Sequence, residues 1–197
     1  MKPFFSILVP CCDVAPYVRE CLESVKGQSF ADWECLVVVE TSTDNTEALV
    51  REVISGDRRF QVFTQPRSGS PTAKRLPSRS PQYRSRPCVG AKYVIFLDGD
   101  DYIAAESLRK LHDKITAFPN ADCYVGGINS YGNNGDFLGS KDCFSSYDAL
   151  RELSGHDATL FLFHPTRGRY SRLNNMAQPN IYSLAFLKSR KLFFSQA

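Results

Sequence analysis

The sequence predicts an α/β domain built on a mostly parallel sheet with helices on both faces. Three observations carry that prediction. Short apolar runs alternate with amphipathic helical stretches in the order β-α-β-α-β, then, after a basic segment, β-α-β. The run Leu36-Val37-Val38-Val39 is unbroken, as expected of a strand covered on both faces by parallel neighbours and helices. Three of the strands stop abruptly at polar or acidic turns, on the edge where open α/β sheets bind ligands.

Residues 4–9 read as the first strand, ended by Pro10. A helix over 16–26 follows, because Val18, Cys21, Leu22 and Val25 recur at the spacing of one buried face and Gly27 stands where the helix stops. Residues 33–40 form the second strand, closed by Glu40. The polar turn 42–46 opens a second helix with the face Thr46, Leu49, Val50 and Val53, and Asp44 with Glu47 has the spacing of a capping box. A third strand spans 60–64. Beyond the basic segment, a strand from Tyr93 leads to a helix over 106–118 that carries Leu108, Leu111, Ile115 and Phe118 inward. His112 shares that face and reads as a packed residue rather than a ligand. Residues 123–127 form a further strand, and 131–139 a hairpin around Gly132-Asn133-Asn134-Gly135. A short helix over 147–153, a strand over 160–163 and a helix over 180–191 complete the expectation.

The 197 residues, 43% hydrophobic and 23% charged, suit one soluble globular domain. Every apolar run is too short to cross a bilayer. The Met-Lys-Pro start enters a strand without the apolar stretch and cleavage site of a secretory signal. A cytoplasmic protein is expected, with peripheral association at the inner membrane face as its nearest approach to lipid. The seven cysteines, Cys11, Cys12, Cys21, Cys35, Cys88, Cys123 and Cys143, are odd in number and lack metal-ligand spacing, which argues against zinc and against a disulfide framework. Cys21 and Cys35 fall in apolar patterns and read as core thiols. The net charge of +3 is uneven: residues 66–87 contain five Arg, one Lys and no acid, leaving about −3 for the rest. Five prolines and five serines in that segment exclude a stable helix, and its lone aromatic residue, Tyr83, argues against nucleic-acid binding.

The strand Tyr93-Val94-Ile95-Phe96-Leu97 ends in Asp98-Gly99-Asp100-Asp101. Three carboxylates this close repel one another unless a cation neutralises them. Mg²⁺ or Mn²⁺ takes few protein carboxylates and completes its shell with water and phosphate oxygens, so the chemistry that fits is a metal-diphosphate site. A solvated acidic turn uses the same residue types for backbone reasons. The other strand ends must decide.

Those ends are Ser6-Ile7-Leu8-Val9-Pro10 and Glu40-Thr41-Ser42-Thr43-Asp44-Asn45-Thr46. Together with Asp98-Gly99-Asp100-Asp101 they resemble, in order and spacing, the turns of the family 2 inverting glycosyltransferases of GT-A fold. The likeness covers residues 4–65 and 92–127, and the stretch from Tyr17 to Val25 with Gln28-Ser29-Phe30 resembles the family's first helix and the loop after it. It implies one GT-A-like, Rossmann-like domain over 1–197, with a nucleotide-sugar half (1–127) that includes the atypical basic segment and a partial acceptor half (128–197). It further implies that Pro10 and Asp13 lie at the nucleotide pocket and that Glu40, standing for the usual Asp, accepts a hydrogen bond from the base. Uracil suits that contact. Asp98 is implied near the ribose, Asp100 on a Mn²⁺ or Mg²⁺ ion at the donor diphosphate, and Asp101 supporting or sharing that ion. The implied reaction is metal-dependent transfer, with inversion, from a UDP-sugar to a saccharide or lipid-linked saccharide of cell-envelope polysaccharide synthesis.

The sequence departs from the family pattern in three places. Val39 and Thr41 replace an Asp and a Gly of the second turn, so weaker donor binding is expected. Residues 66–87 stand where the family has a helix with an Ala-Arg-Asn type motif. They read as a mobile basic loop over the diphosphate or a phospholipid-linked acceptor, as a disordered insertion or as a locally shifted reading frame, and Lys74 and Arg75 are the candidates for phosphate contact. The family's acidic general base follows the strand after a helix of the 180–191 type, and the sequence stops at Ala197 before it. Asp142, Asp157 and His164 carry suitable groups, but no spacing marks one of them. A truncated or degenerate domain that binds nucleotide diphosphate without turnover therefore stays open. So does a haloacid-dehalogenase-like phosphatase, although that class carries its Asp-x-Asp on the first strand and has Thr or Val where this chain has Tyr102.

Overall fold

A computed structural model describes residues 2–66, 91–132, 134–141 and 180–189. Lys74, Arg75, Asp142, Asp157 and His164 lie outside them, as do the helix expected over 147–153, the strand expected over 160–163 and nearly all of the basic segment. In chain order the elements are β1 (Phe5–Cys11), α1 (Val18–Lys26), β2 (Trp33–Glu40), α2 (Thr46–Val53), β3 (Phe60–Gln65), β4 (Tyr93–Phe96), α3 (Ser107–Ala117), β5 (Cys123–Val125), β6 (Ile128–Tyr131), β7 (Phe137–Lys141), β8 (Asn180–Ser183) and α4 (Leu184–Ser189).

Six strands form one sheet in the order β3-β2-β1-β4-β8-β5, and β6 and β7 pair as a separate hairpin. The first four sheet neighbours are parallel. β8 runs antiparallel between β4 and β5. The order reverses at β1, which has β2 on one side and β4 on the other, and this is the place where an α/β sheet opens a crevice at its carboxyl edge.

Side-chain alternation divides the sheet cleanly. Phe5, Ile7, Val9 and Cys11 of β1, with Trp33, Cys35, Val37 and Val39 of β2, face the main core together with α1, α2 and α3. Leu8, Leu36, Val94 and Phe96 face the other way and meet Tyr182 and Leu184, so α4 packs on the second face. α1 completely buries Val18, Leu22 and Val25, each worth roughly 1.5–3 kcal/mol of transfer free energy. Cys21 and Cys35 are buried core thiols, as the pattern indicates. His112 stacks on Phe30 at 4.8 Å and meets Phe4 edge-on, which is a packing role.

Three local expectations are corrected. β1 continues through Pro10 to Cys11 instead of stopping at the proline. Its pairing with β2 runs on to Cys11↔Val39, while on the β4 side Leu8 O accepts from Leu97 N–H and Pro10 O from Gly99 N–H at 3.2 Å. The missing Pro10 N–H therefore costs only the one bond that would lie between these two, at the end of β4. The capping box does not form. Asp44 instead accepts from Thr46 N–H and Ala15 N–H, while Glu47 pairs with Arg51. Finally, the stretch expected as one helix over 180–191 begins as strand β8. Ile181 and Tyr182 fill the gap between β4 and β5, and a short apolar run satisfies either period until its neighbours choose. No helix among the described residues is long and apolar enough to cross a membrane.

Candidate functional site

Three loops meet at the carboxyl edge of β1, β2 and β4. The first, residues 12–15, is fastened to the second, residues 41–46, by a set of side-chain to backbone bonds. Asp13 Oδ1 accepts from Thr43 N–H at 2.7 Å and from Thr43 Oγ1 at 3.1 Å. In return, Asp13 N–H donates to Ser42 Oγ, Val14 N–H to Thr46 Oγ1 and Ala15 N–H to Asp44 Oδ2. Asp13 holds φ at 51°, in the left-handed region that Asp enters more readily than most residues. This backbone choice turns the chain back toward β2.

The third loop locks onto the first. Leu97 N–H donates to Leu8 O, and Gly99 N–H to Pro10 O. Gly99 is buried, and a Cβ there would lie 3.0 Å from both Pro10 O and Cys11 Sγ and 3.2 Å from a Val14 methyl. The glycine between the two aspartates is therefore a packing requirement, absent from a free acidic turn. Asp101 N–H donates to Asp98 O and closes a tight turn. One carboxylate oxygen from each of Asp98, Asp100 and Asp101 then lies within 4.8 Å of the others, with Asp98 half-buried and the other two exposed. Such a set of hard oxygen donors, open on one side, fits Mg²⁺ or Mn²⁺ and suits neither zinc nor copper. The crowding is felt locally: burial, then Asp100 and Asp98, push the Cys11 thiol up to about 12.

Two glutamines support the site: Gln28, buried and visible in the sequence only as part of the loop after the first helix, and Gln65, half-buried and without a recognisable sequence signal. Gln28, 7% exposed, donates to Ser24 O and Ala104 O and accepts from Leu108 N–H, tying the end of α1 to the start of α3. Ile103 N–H donates to Ser24 Oγ, so the chain leaving Asp101 is held twice. On the other flank, Gln65 Nε2 donates to Glu40 Oε1 at 2.9 Å, and Gln65 O accepts from Thr41 N–H. Glu40 is 8% exposed. Val39 lies inside the main apolar cluster, where a carboxylate would have to be buried, so valine suits that place.

The residues singled out in sequence thus come together in part. Pro10, Asp13, Glu40, Asp98, Asp100 and Asp101 all lie on one sheet edge, with Asp13 engaged in holding the second loop and Glu40 engaged by Gln65. Beside the acids, the Tyr102 ring meets Tyr131 of the β6–β7 hairpin at 5.9 Å, and Phe137 packs on Tyr131.

The sequence profile described as "Glycosyl transferase family 2" matches residues 6–184. The chain belongs to that family. Its acidic motif ends the fourth strand, where the dehalogenase class has it on the first. Among curated relatives, the family 2 chain is 26% identical over 114 residues to the uncharacterized glycosyltransferase EpsJ of Bacillus subtilis, covering 58% of this chain and 31% of EpsJ. It is 29% identical over 126 residues to glycosyltransferase GlyA of Streptococcus pneumoniae, covering 64% of this chain and 17% of GlyA. The crystal structure of S. aureus TarS 1–349 superposes with a TM-score of 0.67 at 25% identity over 99% of this chain and 50% of TarS. TarS in complex with UDP gives 0.68 at 25% identity. The fold is accordingly GT-A-like, and the chain spans half or less of each of these relatives.

Proposed function

We propose that this chain carries the donor half of a glycosyltransferase and binds a nucleoside-diphosphate sugar, with UDP as the nucleotide, together with Mn²⁺ or Mg²⁺. The observation that carries the reading is the convergence of three strand ends on one crevice, with Asp98, Asp100 and Asp101 oxygens within 4.8 Å of one another and packed against β1 through Gly99. The likeness to TarS, which has been crystallised with UDP, supports the choice of nucleotide.

In this reading Asp100 holds the ion and Asp101 shares it. When bound, the ion stabilises the negative charge that builds on the departing nucleoside diphosphate. Asp98 orients the ribose, and Glu40 accepts from the uracil imide. Pro10 and Asp13 shape the wall between them, Asp13 by fixing the second loop. Lys74 and Arg75 are assigned to the phosphates on charge alone. Transfer is a direct displacement at the anomeric carbon, with inversion, to an acceptor saccharide or lipid-linked saccharide whose hydroxyl gives its proton to a base not assigned among these residues.

The test is calorimetric titration of UDP into the purified chain with and without Mn²⁺, repeated on Asp100→Ala. Metal-dependent binding in the wild type that is lost in the variant supports the donor site. Absence of binding in the wild type, or binding indifferent to Mn²⁺, overturns it.

A further inference from the structure

Glu40 and Gln65 are direct partners across the β2–β3 ladder, the last pair before both strands end. Their backbones are pinned by Thr41 N–H donating to Gln65 O at 3.0 Å, and their side chains by Gln65 Nε2 donating to Glu40 Oε1 at 2.9 Å. A carboxylate that is 8% exposed is costly unless it is hydrogen-bonded, yet it has about four acceptor positions and this bond uses one of them. The amide does more than satisfy the charge. A glutamate has three side-chain torsions, and a bond to one oxygen in a pinned ladder removes the freedom to turn the carboxylate away from what lies before it.

We infer that Gln65 is the specificity-determining partner of Glu40: by holding Oε1, it fixes the carboxylate as a one-point acceptor that selects a base with a single ring N–H. This rests on the donor-site reading above and deepens it. Uracil meets the requirement, because its N3–H donates between two carbonyls. Cytosine does not, since its N3 is itself an acceptor, and a fixed carboxylate cannot rotate to relieve the clash of lone pairs. Guanine offers two adjacent donors that ask for both oxygens of a carboxylate, one of which is already engaged. Selectivity of this kind comes from polar groups that cannot rearrange when the wrong base enters. Gln65 is thus a positioning residue, acting on the base through Glu40.

The experiment measures affinities for UDP, CDP and GDP, each with Mn²⁺, on the wild type and on Gln65→Met, which keeps the volume and removes the donor. The wild type should prefer UDP to CDP by roughly 10-fold or more, the worth of one hydrogen bond to a charged acceptor. Gln65→Met should lower that ratio by roughly 10-fold, with UDP weakened and CDP weakened less or strengthened. A general loosening of the edge would weaken both nucleotides alike and leave the ratio unchanged, which would overturn the inference while leaving the donor site standing. Equal wild-type affinity for UDP and CDP overturns it as well. Failure of the wild type to bind any of the three removes the underlying donor site too. If Gln65→Met does not fold, Gln65→Ala gives the same readout, because Gln65 is only half-buried and alanine removes the amide donor without adding bulk. The UDP preference should then fall toward parity, and its retention would show that the pair does not read the base.

Discussion

Replacing Gly99 with alanine tests whether the acidic turn is a built site. The glycine has no positive φ, so alanine meets no conformational barrier and the cost is steric. The added methyl would lie 3.0 Å from Pro10 O, 3.0 Å from Cys11 Sγ and 3.2 Å from Val14 Cγ2, whereas comfortable carbon contacts begin near 3.5 Å. Cys11 is buried and Pro10 O belongs to a paired strand, so neither neighbour yields freely. Overpacking of this kind costs about 1–3 kcal/mol, and stretching the 3.2 Å bond from Gly99 N–H to Pro10 O adds up to about 1 kcal/mol. The lower entropy of an unfolded alanine offsets about 0.4–1 kcal/mol. The net loss is about 2 kcal/mol, the middle of a range from about 0 to about 3.5, which at a urea slope of about 2 kcal/mol/M lowers the midpoint by roughly 1 M. Urea unfolding followed by tryptophan fluorescence reads this directly, since Trp33 sits in the same core. Cys11→Ala opens space for the new methyl, so the double variant should lose less than the sum of the single losses. A Gly99→Ala midpoint equal to that of the wild type would refute the packing argument and return the motif to a solvated turn.

Two further predictions follow from the loops and the edge of the sheet. Asp13→Ala should cost about 2 kcal/mol, because it removes both bonds to Thr43 and leaves a non-glycine residue at φ 51°. Asp13→Asn should cost less, so urea midpoints ranked wild type, Asn, Ala are expected, and a reversed order contradicts the role given to this side chain. Asp57 is held below the usual carboxylate range, chiefly by hydrogen bonds from Arg59. Its folded pKa lies below the unfolded value, so its stabilisation is complete above the unfolded pKa and disappears as pH falls through the folded one. With Arg59 about a third exposed, Asp57→Asn should lose only about 1 kcal/mol at pH 7, and the gap in melting temperature should narrow as pH falls below the ordinary Asp range.

Much of this architecture was legible because burial leaves a period in the sequence. β2 lies between two parallel strands and under helices, and its unbroken run from Leu36 to Val39 follows from that double cover. Asp98, Asp100 and Asp101 were legible as a group because three carboxylates crowd one strand end, although a solvated turn uses the same residue types. Asn180 to Ser183 was not, since an apolar stretch that ends in a helix and begins by pairing with β4 and β5 satisfies the helical spacing throughout. The bonding of Gln28 and Gln65 was invisible for a different cause. Each acts through a partner far along the chain, Leu108 for one and Glu40 for the other, and an isolated glutamine carries no pattern that announces a buried bond. Asp44 looked like half of a capping box because its spacing to Glu47 is right, but its carboxylate is shared between Thr46 N–H and Ala15 N–H of the first loop, and Glu47 pairs with Arg51.

The most direct test of the central claim, that three carboxylates and two other strand ends form one metal-diphosphate site, is electron paramagnetic resonance of Mn²⁺ in the presence of UDP. Free aqueous Mn²⁺ gives a sharp six-line signal that collapses when the ion is immobilised on protein. The account predicts that the wild-type chain with UDP quenches the signal, that chain or UDP alone does so far less, and that Asp100→Asn restores it. A signal that the wild-type chain and UDP together leave unchanged, or that Asp100→Asn quenches equally well, would contradict the claim.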